Sequence, residues 1–471
     1  MVYNDRMRFL RNPYVLVCVA LFAVNIAFRS YQASQFIDSP YFNFTMRTVT
    51  GPDQNTYYEW ALALQEGRWE FRRLGSNEPF YAAPLYALIL ALFLKLGWDA
   101  SAIVYLQCFL SSLLVFCFYD IGRLWKHPRS GILAGLLWTF YGTSYFYDSC
   151  LIRASLFTSL SFFTFWSLIR AENKSSALAY LRTGFLSGVV ALLRPHPIFW
   201  LLPAWILLRH GFKNMRKQWV HAVLVLVTGL LIVLPATIRN YRASRQWVLI
   251  SAQGADSFWL GNSPDGLGVS YFPTERSLAL KEASGDELWR SVPLLLKEIH
   301  DNPSAYAKLY IRKFKMLFND YEIPANYCYY IFLRLVKYAQ VPFLSFIWIL
   351  PLALMGFCLT LRKIPWQTPC FFLGSLLLSA LVIHIQSRYR FPSIPFLILL
   401  GGLGLGRLVP LIRDRAFTIM LGVFCLAGAS VLYALPLPSY GILPYKGSTG
   451  VHKLNPVKIR DVDYITWITA E

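Results

Sequence analysis

The first polar stretch after the N-terminal apolar run, GPDQNTYYEWA from Gly51 to Ala61, opens with a carboxylate, Asp53, and continues into aromatic residues. Further along, otherwise apolar sequence returns arginine at a few places: Arg153 in YFYDSCLIR, Arg194 in ALLRPHPIF, Arg239 in TIRNY, and Arg388 and Arg390 on either side of a tyrosine in HIQSRYRFPSIPF. A positioned carboxylate removes a proton from a hydroxyl or an amine. The planar guanidinium fork suits phosphate oxygens better than any other side chain, and it offsets the charge that grows on a departing phosphate. One acid and several arginines, if the fold gathers them, suit transfer of a group from a phosphate ester to an acceptor.

The elements that must gather them are membrane helices. The 471 residues are 56% hydrophobic and 17% aromatic but only 15% charged, whereas soluble domains carry about 25% charge. Several apolar runs approach the roughly 20 residues that cross a bilayer as helix. The formal charge of +20 is scattered between these runs, which is the pattern of orientation signals and anionic-lipid contacts, not of a nucleic-acid footprint. Most of the eight cysteines fall inside apolar runs without metal-ligand spacing, so neither a zinc site nor a disulfide framework is expected. The basic, uncleavable start RMRFLRNPYVLVCVALFAVNIAF reads as a retained first helix.

Arg6, Arg8 and Arg11 place the N-terminus in the cytoplasm by the positive-inside rule. The segment 79–98 is ambiguous: its clean apolar core is short and Lys95 sits near its end. If it stays on one side, the basic loops at 122–129, 170–182, 209–217, 361–363 and 407–415 all become cytoplasmic; if it crosses, all five move outside, against the rule. The first reading predicts spans near 14–30, 101–121, 131–147, 151–170, 181–193, 197–208, 219–237, 341–361, 369–386, 391–410 and 416–436. The fold class expected is therefore all-α and polytopic, with about eleven transmembrane helices. Residues 1–437 form the membrane domain, its outer loops at 31–100 and 238–340, and 438–471 form a short outer tail. This topology leaves Arg153, Arg194, Arg239, Arg242, Arg245, Arg388 and Arg390 on or near the outer face, where orientation does not explain them and an ionisable residue points to function. Neither ATP nor a nucleotide sugar is expected on that face, so the activated donor should arrive on a lipid carrier.

Each candidate has a plainer reading. Arg242 and Arg245 suit lipid headgroups, and Arg388 and Arg390 could snorkel. In TIRNYRASRQWVLISAQGADSFWLGNSPDG, Arg239, Asn240, Tyr241 and Asn262 are donor-site candidates, with Gly254, Gly261 and Gly266 allowing tight turns. Arg194 and His196 share a proline-broken hairpin that could be purely structural, and His196 has no ligand partner nearby in sequence. Asp148 and Arg153 could pair with each other. Tyr57 and Glu78 share the first outer loop with Asp53. Glu59 there suits a solvated helix face, and Asp38 is the chief competitor for the acid's role.

Taken in order, GPDQNTYYEWA, EPFYAAPLY, LLRPHP, TIRNY, FWLGNSP, YEIPAN and SRYRFPSIP resemble the C-type glycosyltransferases, in particular bacterial members akin to protein O-mannosyltransferases and the lipid A aminoarabinose transferase. The resemblance runs from the first helix to about residue 410. It implies a polyprenyl- or dolichyl-phosphate sugar donor, an inverting single displacement, Asp53 as base, and Arg239, Arg388 and Arg390 near the donor phosphate. Family members often carry a second acid beside the first; here the neighbour is Gln54, so no obligatory divalent metal is expected. The resemblance also implies a glycan, lipid or protein acceptor and a place in the inner membrane with the site facing the periplasm. The rival readings are an O-antigen-type ligase or polymerase using a lipid diphosphate, and a polytopic lipid or solute transporter. Against the transporter, the sequence shows no inverted repeat of broken helices.

Overall fold

The computed structural model describes residues 13–42, 53–69, 78–209, 215–269, 273–285, 287–324, 326–360 and 364–411. Every regular element among them is helical, and the only β-type contact is an isolated parallel bridge between Tyr141 and Leu344. Among the described residues, four stretches are long and apolar enough to cross a bilayer: Pro13–Ile37, Ala102–Leu124, Met215–Ser244 and Ser387–Leu408. Gly142–Ser149 and Ala154–Lys174, bent by 116° at their junction, make a fifth if taken as one broken span. Ala177–Leu193, Pro197–Leu208, Phe346–Thr360 and Gln367–Val382 are shorter apolar helices at positions where the sequence predicts spans. The chain is a multi-pass, all-α membrane protein, yet among the described residues fewer helices reach full spanning length than the eleven read from the sequence. The segment 416–436 lies outside the described residues.

Two spans differ from expectation for visible reasons. The run 131–147 is not one helix but Pro128–Thr139 followed by Gly142–Ser149. The backbone of Leu344 intervenes: its N–H donates to Phe140 O at 2.9 Å and its carbonyl accepts from Gly142 N at 2.9 Å, so neither group is left for a continuous helix. The helix expected to end at 237 continues to Ser244, and Arg239, Asn240 and Tyr241 therefore ride on its last turns. The ambiguous segment near residue 90 forms only Leu85–Lys95, 11 residues. At 1.5 Å per residue that is about 16 Å, well short of a hydrocarbon core of about 30 Å.

Pro13, Pro128, Pro197 and Pro303 each open a helix, where the missing N–H has no intrahelical partner to lose. Phe346–Thr360 and Ile394–Leu411 cross backbone to backbone: a Cβ on Gly356 would lie 1.9 Å from Leu400 O. Inside the bundle, Asp148 accepts from Arg29, not from Arg153 as the sequence suggested, and Arg29 and Asp148 are both buried. Arg29 also donates to Asn25 Oδ1 at 3.1 Å and lies over the Tyr145 ring at 4.1 Å. An intramembrane charge survives when it is paired and its donors are used, as here.

The segment 244–346 is tied to the bundle at the point that leads into Ser387. Lys313, fully buried, donates to Gly261 O at 2.9 Å and to Ile383 O at 2.5 Å. Gly261 packs so closely there that a Cβ would sit 2.0 Å from Ile383 O. That lock fixes the strand of chain that delivers Arg388.

Candidate active site

Asp53 is the first residue of the helix Asp53–Gln65, where the helix dipole favours an anion. Its Oδ2 accepts from Nη1 of Arg388, across 335 positions of sequence. The side chains are 33% and 15% exposed respectively, so the pair is reachable from outside the bundle. Arg388 is aimed by Gln386, whose Oε1 accepts from Nε at 2.6 Å. Burial pushes the Asp53 carboxyl up, but the guanidiniums of Arg388 and Arg153, with the hydrogen bond from Arg388, more than offset this and hold it below the ordinary carboxylate value. Asp53 is therefore ionised at neutral pH. One helical turn on, Tyr57 is buried against Tyr86 with ring centroids 4.9 Å apart. Burial raises its hydroxyl to about 12, which keeps it a donor.

Two further guanidiniums complete the cluster. Arg194 caps the helix Ala177–Leu193 in extended conformation and lies over the ring of Tyr389 at 3.9 Å. Arg153 precedes Ala154–Lys174, sits 6.0 Å from the Tyr57 ring centroid and donates to Leu193 O at 3.3 Å. Arg194 feels the charges of both Arg153 and Arg388, and the only carboxylate acting on this group is Asp53 among the described residues. The cluster holds two positive charges in excess, on three forks of the kind that take phosphate oxygens.

Other candidates are spent elsewhere. Arg239 donates to Glu78 O at 2.8 Å and Trp69 O at 2.9 Å and covers Phe80 at 4.2 Å, pinning both flanks of the stretch between Trp69 and Phe80. Asn240 accepts from Phe80 N at 2.8 Å and donates to Val248 O and Ile250 O, both at 3.0 Å. Tyr241 stacks on Trp247 at 4.4 Å. Asn262 donates to Phe258 O and Val382 O and accepts from the Tyr310 hydroxyl at 2.8 Å. Glu78 is exposed and enters only through its carbonyl. His196 Nδ1 accepts from Ile198 N at 3.2 Å, which leaves Nε2–H to meet Ser379 Oγ at 2.5 Å.

Arg390, expected beside Arg388, points the other way. Its Nη2 meets Glu322 Oε1 at 2.8 Å, its Nη1 donates to Leu317 O and Asn319 O, and its side chain is 3% exposed. Residues two apart on a helical turn do not share a face, so these two arginines cannot serve one phosphate together. The sequence reading missed Arg29, Gln386 and the role of Glu322. YEIPAN, which contains Glu322, was the available signal. Among the described residues no three His, Cys, Asp or Glu side chains cluster as a metal site.

A family model described as dolichyl-phosphate-mannose-protein mannosyltransferase matches residues 79–238. No curated protein matches. Two similar solved structures are ArnT from Cupriavidus metallidurans bound to undecaprenyl phosphate and the archaeal oligosaccharyltransferase AglB from Archaeoglobus fulgidus in complex with an inhibitory peptide and a dolichol-phosphate. The first is 14% identical with a TM-score of 0.48 and covers 84% of this chain and 59% of its own. The second is 11% identical with a TM-score of 0.47 and covers 90% of this chain and 56% of its own. This chain thus spans less than two thirds of the length of either. The resemblance read from the sequence motifs is borne out by the family match: over residues 79–238 the chain is similar to the dolichyl-phosphate-mannose-protein mannosyltransferases, polytopic C-type glycosyltransferases.

Proposed function

We propose that this protein is a membrane glycosyltransferase that moves a sugar from a polyprenyl-phosphate carrier to an acceptor hydroxyl or amine, by inverting single displacement. The observation that carries the reading is the ionised Asp53 held by Arg388 beside the guanidiniums of Arg153 and Arg194, which form no ion pair of their own among the described residues. The donor phosphate enters among Arg153, Arg194 and Arg388. There it competes with Asp53 for the Arg388 fork, and as that contact loosens the carboxylate becomes a better proton acceptor. Asp53 takes the acceptor proton while the acceptor oxygen or nitrogen attacks the anomeric carbon. The bond from that carbon to the phosphate oxygen breaks, and its electron pair leaves with the polyprenyl phosphate, stabilised by the arginines. The reading gives the charge-neutralising role to arginine and routes no step through a metal. It places the protein in the inner membrane with the site on the periplasmic face.

The family match at 79–238, which covers Arg153 and Arg194, supports the donor class. The test is transfer by purified full-length protein from a polyprenyl-monophosphate sugar, with a polyprenyl-diphosphate oligosaccharide as comparison. Turnover of the monophosphate donor is expected. Turnover of the diphosphate alone would turn the reading to a ligase or polymerase, and turnover of neither, with lipid movement across vesicles, to a transporter.

A further inference from the structure

The site depends on two short pieces of chain. One is the turn Ser387–Arg390, which delivers Arg388; the other is the segment 319–324, which follows the helix Pro303–Phe318. A buried ion pair, flanked by backbone contacts, joins them. Glu322 Oε1 takes Arg390 Nη2 at 2.8 Å and Thr143 Oγ1 at 3.3 Å, while Glu322 N donates to the Tyr330 hydroxyl at 3.1 Å. Arg390 spends its other terminal nitrogen on the carbonyls of Leu317 and Asn319, and its guanidinium lies 4.1 Å from the Phe346 ring centroid. Beside the pair, Ser387 N reaches Ile323 O at 3.4 Å.

We propose that Glu322 and Arg390 are positioning residues: their buried ion pair clamps the turn 387–390 onto the segment 319–324, so that Arg388 meets Asp53. The proposal rests on the reading of Arg388 as a ligand of the donor phosphate. The geometry supports it in a specific way. With Arg390 turned inward on its own turn, Arg388 is directed toward Asp53, since side chains two apart diverge. The fork of Arg390 is consumed by three acceptors, Leu317 O at the end of the helix Pro303–Phe318 and Asn319 O and Glu322 Oε1 just beyond it, an arrangement lysine cannot reproduce.

The test uses full-length protein in detergent, with undecaprenyl phosphate as the probe. Glu322→Gln and Arg390→Lys should each weaken undecaprenyl phosphate binding about tenfold, the scale of one disturbed charged contact. Arg388→Ala should then weaken binding less in the Glu322→Gln background than in the wild type, because the two act through one contact. If Arg390 instead gripped phosphate itself, Glu322→Gln would release it and tighten binding, which overturns the proposal. A lowered melting temperature with unchanged affinity would overturn it too, leaving a merely structural pair. A ligand-free measurement runs beside these: oxidant-driven disulfide formation between positions 53 and 388 in protein carrying Asp53→Cys and Arg388→Cys, read by mass spectrometry in native membranes. Adding Glu322→Gln should slow that cross-link about tenfold or more, and an unchanged rate would defeat the clamp. Should the wild type fail to bind undecaprenyl phosphate, the donor reading falls, and the cross-link alone still decides whether the clamp positions residue 388.

Discussion

Replacing Arg388 separates the contributions of charge and fork at the centre of the site. At about 4 Å, opposite unit charges attract by about 4 kcal/mol at an effective dielectric of 20. The Asp53 side chain is 33% exposed, so solvent screening reduces this to about 1–3 kcal/mol, or about one to two pH units on the carboxyl. Asp53 lies below the ordinary carboxylate value because Arg388 and Arg153 outweigh its burial. Its charge therefore contributes stability that is present above the ordinary carboxylate range and lost only as the pH falls through the lowered value. In Arg388→Ala, burial is opposed chiefly by Arg153, and the acid limb of the kcat/KM profile should move up by about one to two pH units. Arg388→Lys keeps the charge, so the limb should shift less, yet donor affinity should still fall about tenfold because the planar fork is gone. Transfer assays across pH, with lipid-donor affinity measured on the same preparations, read both effects. A lysine variant indistinguishable from wild type in affinity, together with an alanine variant whose acid limb is unmoved, would refute the reasoning.

Other outcomes follow from the remaining contacts. Arg29→Ala leaves the buried Asp148 carboxylate without its partner and should destabilise the protein by about 3–5 kcal/mol, read as a large loss of melting temperature. Arg153→Ala and Arg194→Ala should weaken undecaprenyl phosphate binding about tenfold each; Arg239→Ala should leave that affinity nearly unchanged and instead expose the segment around Trp69 and Glu78 to protease. Transfer should persist after EDTA treatment, and loss of transfer restored by magnesium or manganese would contradict the assignment of charge stabilisation to arginine.

Much of this was legible in the sequence because membrane helices announce themselves by composition. Apolar runs located the helices, and the arginines that stood out against the positive-inside reading included Arg153 and Arg388, which act on Asp53, and Arg194 beside them. What the sequence could not supply was direction and distant partnership. Arg388 and Arg390 look equivalent in SRYR, and only the phase of their turn sends one to Asp53 and the other to Glu322. Asp148 looked like a partner for Arg153, five residues away. Its actual partner, Arg29, is 119 residues distant, at a position that reads as the end of a span. TIRNY and FWLGN read as phosphate-binding motifs because Arg, Asn and Gly serve equally well as backbone clamps, which is the use the fold makes of them here. The break at Phe140 was invisible because its cause, the backbone of Leu344, lies in a different element.

The central claim is that Asp53 is the base, and one comparison tests it most directly. Asp53→Asn keeps the shape of the side chain and removes only its capacity to take a proton. Transfer from a polyprenyl-monophosphate sugar should fall by about 10²–10⁴-fold, the range of general base catalysis, while the variant still folds and binds undecaprenyl phosphate. Asp38→Asn, in the turn after the first helix, should keep most of its activity. Full transfer by Asp53→Asn, or an active Asp53→Asn beside an inactive Asp38→Asn, would contradict the account.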